Sequence, residues 1–265
     1  MKLRYAAGFL HRRRFPELGE IYAEDKRIDL LLKKTLARES NCIDVGCHYG
    51  SMLSRFCSLA PDGHHVAVEA IPSKVAFLRR KFPEVDVFET ALCDHFGTVQ
   101  FYINVGASGF SGLSRHGQGS FERIEVNCSS LDEMVPRDRH FDFLKVDVEG
   151  AELSVLRGAV ELLGRDRPTV LFECGPSGPA IFGYSAVEIY DFLVARRYSV
   201  FFLRDALRCG HPVSREEFSA ALVYPFKAFN WLAVATELVP KVLGLVNDLA
   251  DNTLLNGKLG SSSSS

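Results

Sequence analysis

The feature that most constrains this chain is an alternation. Short apolar runs that stop at glycine or at an acid give way, again and again, to segments with helical spacing. "NCIDVGC" (41–47) precedes "GSMLSRFCSLA" (50–60); "HHVAVEA" (64–70) precedes "PSKVAFLRRKF" (72–82); "FDFLKVDV" (141–148) precedes "AELSVLRGAVELLG" (151–164). The pattern continues through "TVLFECG" (169–175), "AVEIYDFLVARR" (186–197) and "SVFFL" (199–203), and "NWLAVA" (230–235) reads as a last strand. Strands alternating with helices predict βαβ units, hence an α/β fold built on a parallel sheet. "VDVFETAL" (85–92) reads as the third strand and "GTVQFYIN" (97–104) as another. With 265 residues and no internal repeat, one large domain with a sizeable core is expected.

In an open parallel sheet, ligands bind beyond the C-terminal strand ends. The first such end reads "DVGCHYG" (44–50), a Gly-x-x-x-Gly turn. Cys47, His48, Tyr49 and Ser51 fill positions where a dinucleotide fingerprint needs further glycines, and no Gly-Lys-Ser/Thr follows. A nicotinamide-dependent oxidoreductase therefore fits poorly. Glu69, 25 residues after Asp44, ends the second strand, where an acid accepts hydrogen bonds from two ribose hydroxyls. A glycine turn plus a ribose acid, without a pyrophosphate site, suits a nucleoside cofactor such as S-adenosylmethionine. The alternative is a plain βα turn with Glu69 beside a helix start.

The run "FDFLKVDVEG" (141–150) carries three ionisable groups at alternate positions. Lys145, Asp147 and Glu149 share one strand face and Leu144, Val146 and Val148 the other. A parallel sheet is normally covered on both faces, which argues against a solvated charged face. At the strand's exit a carboxylate can face a cofactor's cation or act as general base, with Lys145 neutralising a neighbouring acid. Asp147, Glu149 and Glu173 also offer oxygen ligands for a divalent cation, but without a fixed ligand spacing no metal is assigned.

Taken in order, "DVG…G", "VEA", "FDFLKVDVEGAELSVLRGA" and "PTVLFEC" resemble the FkbM family of methyltransferases, over roughly residues 41–175. The resemblance implies a Rossmann-like class I methyltransferase fold. That fold has a seven-stranded, mostly parallel sheet with helices on both faces and an antiparallel hairpin near its end. It implies S-adenosylmethionine as cofactor and O-methyl transfer, often to a sugar or polyketide hydroxyl. On that resemblance Asp44, Gly46, His48 and Gly50 line the methionine end, and Glu69 and Ala70 hold the ribose. Lys145, Asp147 and Glu149 then form the reaction centre, Asp147 also facing the cofactor. Many class I enzymes place an acid after the third strand to read the adenine amine. Here Thr90 and Ala91 stand there, so Ala91 and Asp94 are the adenine-side candidates. Ser111, in the Gly- and Ser-rich loop "VGASGFSGLSRHGQGS" (105–120), is a further cofactor candidate, with Phe110, Leu113, Arg115 and His116 nearby. A mobile surface loop is the other reading of that segment. A methyltransferase-fold module without catalysis remains the alternative function.

A net charge of −2 gives no electrostatic case for a nucleic-acid partner, and "HRRRF" (11–15) is a short basic cluster only. No apolar run reaches the roughly 18 residues of a membrane span. Seven cysteines at 42, 47, 57, 93, 128, 174 and 209, with no CxxC, predict reduced, mostly buried thiols and a cytoplasmic setting. The expected organisation is a helical lead-in (1–40), a cofactor-binding domain (41–236), a C-terminal amphipathic helix (237–256) and a disordered tail (257–265). The C-terminal helix is expected to pack on the domain, with a homodimer contact as the lesser reading. The partner is then a small-molecule or glycan hydroxyl acceptor.

Overall fold

The computed structural model describes residues 15–242 and 244, except 107, 108, 110, 116–118, 177 and 209. Most of "HRRRF", Cys209, Phe110, His116, nearly all of the C-terminal segment beyond Val242 and the serine tail lie outside the described residues.

Among the described residues ten strands form two sheets. The seven-stranded sheet joins β1 (Cys42–Val45), β2 (Val66–Glu69), β3 (Asp86–Glu89), β7 (Phe143–Val146), β8 (Thr169–Glu173), β9 (Tyr198–Phe202) and β10 (Asn230–Ala235), in the order β3-β2-β1-β7-β8-β10-β9. All pairings are parallel except those of β10, which runs antiparallel to β8 and β9. The chain moves outward from β1 to β3 and returns to the other side of β1 as β7. The switch point, and the crevice it opens, therefore lies between β1 and β7. This is the mostly parallel seven-stranded α/β sheet that the sequence led to expect.

Side-chain alternation sorts the core into two layers. Cys42, Phe143, Leu171, Leu232 and Val234 face α1 (Glu24–Thr35) and α2 (Ser51–Leu59), through Leu31, Leu32 and Phe56. Ala67 meets Leu53 of α2 and Leu78 of α3 (Pro72–Lys81) on the same side. The opposite face, with Ile43, Leu144, Val146, Val170 and Phe172, packs on α4 (Glu152–Arg157), α5 (Val160–Arg165), α6 (Ala186–Ala195) and α7 (Arg215–Ala221).

Three expectations are corrected. The run 85–92 is not one strand. At Thr90 the chain leaves the large sheet: the Thr90 N–H still donates to Glu69 O (3.2 Å), while its hydroxyl donates to Asn127 O (2.9 Å). Ala91–Leu92 then becomes β4 of a three-stranded sheet, order β4-β6-β5, with β5 (Gly97–Asn104) and a strand the pattern missed, β6 (Phe121–Ser129). The helix expected over 151–164 is broken into α4 and α5. Gly158 lies between them so close to the chain that a Cβ there would sit 2.4 Å from Cys93 O, and Asp132 caps α5 through the N–H groups of Glu161 and Leu162 (both 2.8 Å). Finally, the thiols are not all reduced. Cys93 and Cys128 are disulfide-bonded between the end of β4 and β6, with Cα atoms 6.3 Å apart, inside the range such a bond spans. Cys42, Cys47, Cys57 and Cys174 are free. Among the described residues no helix is long and apolar enough to cross a membrane.

Candidate active site

A cavity of about 410 Å³ opens at the switch point, beyond the C-terminal ends of β1, β2, β7 and β8. The sequence-derived residues Gly46, His48, Glu69, Ala70, Ala91, Ser111, Asp147 and Glu149 all line it. Gly46, Glu69, Asp147 and Glu149, up to about a hundred residues apart, thus meet because each lies at or just after the C-terminal end of a parallel strand at the same edge, and Ala91 of β4 and Ser111 of the loop after β5 close the cavity from the small sheet's side.

The floor is the joint between two turns. Gly46 (φ +73°) packs so tightly on the turn after β7 that a Cβ would lie 1.8 Å from Asp147 O. Gly46 N–H and Cys47 N–H both donate to Val68 O (3.0 and 3.2 Å), and Asp147 N–H to Val45 O (3.1 Å). Gly50 (φ +73°) is not part of the lining. Its missing side chain makes room for Phe82 and Leu78, where a Cβ would approach to 2.6 and 2.9 Å. The two glycines are thus explained by φ and packing before any ligand is invoked.

Two non-glycine residues of the site hold left-handed backbone, His48 (φ +53°) and Glu149 (φ +57°). That conformation is uncommon outside glycine and collects at functional positions. At His48 it aims the backbone N–H at Glu69 Oε2 (2.9 Å). Glu69 Oε1 accepts the Ile71 N–H (2.9 Å), so each oxygen is fixed and keeps a lone pair. Burial pushes the Glu69 carboxyl above its ordinary pKa, and the neighbouring Lys74 pulls it back. Beside this acid, Ile71, Ala91, Leu92, Phe101 and Leu113 make an apolar slot. A flat base carried on a vicinal diol fits that arrangement.

The other end is charged. Lys145 is buried and donates to Asp147 Oδ2 (2.8 Å), with Asp44 Oδ1 at 3.8 Å. Burial opposes its charge, but the Asp147 and Asp44 carboxylates outweigh it and hold the ammonium above its usual range. Asp44 itself is wholly buried beneath the cavity rather than lining it. Its oxygens have no hydrogen-bond partner of full geometry, the Leu53 N–H reaching the carboxylate only weakly. Burial pushes its carboxyl up to about 6. Glu149 is pushed up to about 8, by burial first and then by Asp147 and Glu152. Glu173 at the end of β8 lines the same cavity and is raised well above the carboxylate range, by burial and then by Asp147 and Glu149. Glu152 fixes the turn: its Oε1 accepts Val148 N–H (3.2 Å) and Gly150 N–H (3.0 Å). The Tyr184 hydroxyl donates to Gly150 O and accepts from Leu153 N–H (3.2 Å).

Ser111 is held by donation of the Asn104 N–H to its Oγ (3.1 Å), and Gly109 and Leu113 line the cavity with it. The loop folds back through a bridge between Tyr102 and Gly112, and Gly112 lies against Glu149. Asp94 is the candidate that stands apart: it is exposed, outside the lining, with its carboxylate 3.1 Å from the His95 ring. Thr90, Ala91 and Leu92 occupy the wall it was expected to serve. The carboxylates of Asp147, Glu149 and Glu173 do not converge on a ligand cluster. Among the described residues the one group with its ligand atoms within 4.8 Å of one another is Cys93, His95 and Cys128, and two of those sulfurs are already bonded.

Lys74 and Phe101 complete the site without having been singled out for it, and Glu173, weighed from the sequence only as a cation ligand beside Asp147 and Glu149, lines it too. For Lys74 a signal existed in the sequence: a lysine in the first helical turn after the ribose acid, where a cation opposes the helix dipole.

The chain is 27% identical over 144 residues to the 2-O-methyltransferase NoeI of Sinorhizobium fredii (strain NBRC 101917 / NGR234), covering 47% of this chain and 59% of that protein. It thus spans less than two thirds of the length of that curated relative. Among solved structures it is similar to a methyltransferase FkbM from Methylobacillus flagellatus KT (TM-score 0.47, 13% identity, covering 75% of this chain and 44% of that one). It is also similar to a TehB-like SAM-dependent methyltransferase from Corynebacterium glutamicum (TM-score 0.41, 11% identity, 87% and 96%). The fold assignment rests on the strand order, not on these likenesses. The methyltransferase FkbM domain matches residues 44–200, more than half of the chain, from the acid of β1 to the last parallel-sheet crossover, and the chain belongs to that methyltransferase family.

Proposed function

We propose that the protein transfers a methyl group from S-adenosylmethionine to a hydroxyl of a sugar or another small metabolite. The observation that carries this reading is the joint placement in one cavity of Glu69, anchored by the His48 and Ile71 N–H groups, and of Asp147 and Glu149, with Lys145 buried behind Asp147 and donating to it. When bound, the cofactor supplies an electrophilic methyl on a sulfonium centre. Glu69 takes the two ribose hydroxyls, and the Ile71–Leu92–Phe101 slot takes the adenine. Asp147, tied to Lys145, faces the cationic end, and the buried Asp44 carboxylate beneath, 3.8 Å from the same ammonium, adds negative potential. Glu149, with its carboxyl raised to about 8, is matched to take a hydroxyl proton near neutral pH, since a general base works best with a pKa near the operating pH. Ser111 and Leu113 line the crevice, where closure over bound ligand would exclude water.

Oxygen as the acceptor is supported by the 2-O-methyltransferase relative and by the carboxylates at the acceptor end. The test is binding followed by transfer. S-adenosylhomocysteine should raise the melting temperature by mass action and NAD should not. Glu69→Ala should lose most of that shift, about 1–3 kcal/mol for a charged hydrogen-bond partner. Labelled methyl groups should then appear on an alkali-stable ether in a cell extract. A shift with NAD and none with S-adenosylhomocysteine would end this reading.

A further inference from the structure

Lys74 is 4% exposed and lines the same cavity as Glu69. It stands in the first turn of α3, two residues after Pro72. A cation there opposes the helix dipole, and burying one is costly unless an opposite charge faces it. Neither helix formation nor core packing therefore accounts for a lysine at this position. Glu69 at the end of β2 and Glu149 in the turn after β7 line that cavity with it; burial lowers the pKa of its ammonium, and these two carboxylates, with the Cys47 thiol in the turn after β1, favour its charge. Its ammonium also stands 5.8 Å from the centre of the Tyr49 ring.

Glu69 needs such a neighbour. At full geometry each of its oxygens accepts one backbone N–H, from His48 and from Ile71, with a weaker contribution from the Ala70 N–H, and each oxygen can accept a further bond. Only the ionised carboxyl offers both lone pairs to a vicinal diol; protonation turns one oxygen into a donor. Burial favours that protonation. We propose that Lys74 is a positioning residue that keeps Glu69 ionised and doubly accepting, so that the cavity retains its grip on a ribose diol as the pH falls. The proposal rests on the ribose reading of Glu69 given above.

The experiment is calorimetric titration with S-adenosylhomocysteine between pH 5.5 and 8. It uses wild type, Lys74→Met, Lys74→Arg, Glu69→Gln and the double variant Glu69→Gln/Lys74→Met. Below the carboxyl's pKa, affinity falls about tenfold per pH unit, because one proton must leave for the ligand to bind. Lys74→Met moves that fall to higher pH, so its deficit against wild type grows as the pH is lowered from 8 to 5.5. Lys74→Arg restores the wild-type profile, and in the Glu69→Gln background Lys74→Met changes affinity less than about twofold. A deficit equal at every pH, or undiminished in the Glu69→Gln background, would overturn the proposal while leaving the methyl-donor reading in place. A wild type that does not bind S-adenosylhomocysteine would overturn both. Should Lys74→Met fail to fold by circular dichroism, Lys74→Gln takes its place, judged by the same two criteria.

Discussion

Gly46→Ala is the sharpest test of how the site is assembled, because it perturbs the joint between the turns after β1 and β7 and no charged group. The added Cβ would begin 1.8 Å from Asp147 O and 2.9 Å from Asp147 C, both backbone atoms that no side-chain rotation can move aside. An ordinary carbon–oxygen contact is on the order of 3.2 Å, so the turns must part by about 1.4 Å. Forced overpacking of this kind costs about 1–3 kcal/mol. Left-handed backbone at φ +73° adds roughly 1–2 kcal/mol for alanine. Parting the turns also stretches Gly46 N–H to Val68 O and Asp147 N–H to Val45 O, each worth about 1 kcal/mol. The expected loss is thus about 4–7 kcal/mol, a melting temperature lower by roughly 10 °C or more at 2–4 °C per kcal/mol. Because Asp147 moves with the joint, S-adenosylhomocysteine affinity should fall at least about tenfold. Denaturant unfolding and calorimetric titration measure the two effects. Gly164→Ala in α5, where a Cβ meets nothing within 4 Å, is the control and should be neutral or stabilising by up to about 1 kcal/mol. If Gly46→Ala melts within 2 °C of wild type and binds the ligand as tightly, the two-turn joint does not hold the site.

Three further outcomes are expected. Glu149→Gln should lower methyl transfer roughly 10²–10⁴-fold and remove a rate limb that rises with pH through about 8, since the base acts only when deprotonated; an unchanged profile in that variant would assign the proton transfer elsewhere. Trypsin should cut near the exposed Arg115, and S-adenosylhomocysteine should slow it if the loop bearing Ser111 closes over the ligand; equal cleavage rates with and without ligand would strike Ser111 from the site. Thiol titration of unfolded protein should gain two reactive groups after reduction, and Cys93→Ser/Cys128→Ser should lose about 2–4 kcal/mol under oxidising conditions for a closed loop of 35 residues; an unchanged thiol count would show the pair is not bonded in solution.

The sequence by itself determined the sheet and the charged ends of its strands. Runs such as "CIDV", "VAVE" and "FLKV" are buried on both faces, and in a parallel sheet a residue at a run's C-terminal end is a residue at the crevice. That is why Gly46, Glu69, Asp147 and Glu149, singled out by spacing and joined into one site by the family resemblance, do line one crevice, and why Asp94, placed after a strand that in fact ends at Glu89, does not. Only the tertiary structure decided what depends on contacts between segments far apart in the chain. Alternation tells which face a side chain takes, not which sheet the strand joins. The departure at Thr90, the pairing of β4 with β6 and the meeting of Cys93 with Cys128 were therefore closed to it. The break at Gly158 needed the Cys93 carbonyl, and the arrival of Lys74 and Glu173 in one cavity needed the crossovers that bring α3 and β8 to the same edge. Local spacing fixed the direction in which each group points, and the packing of distant segments fixed what it points at.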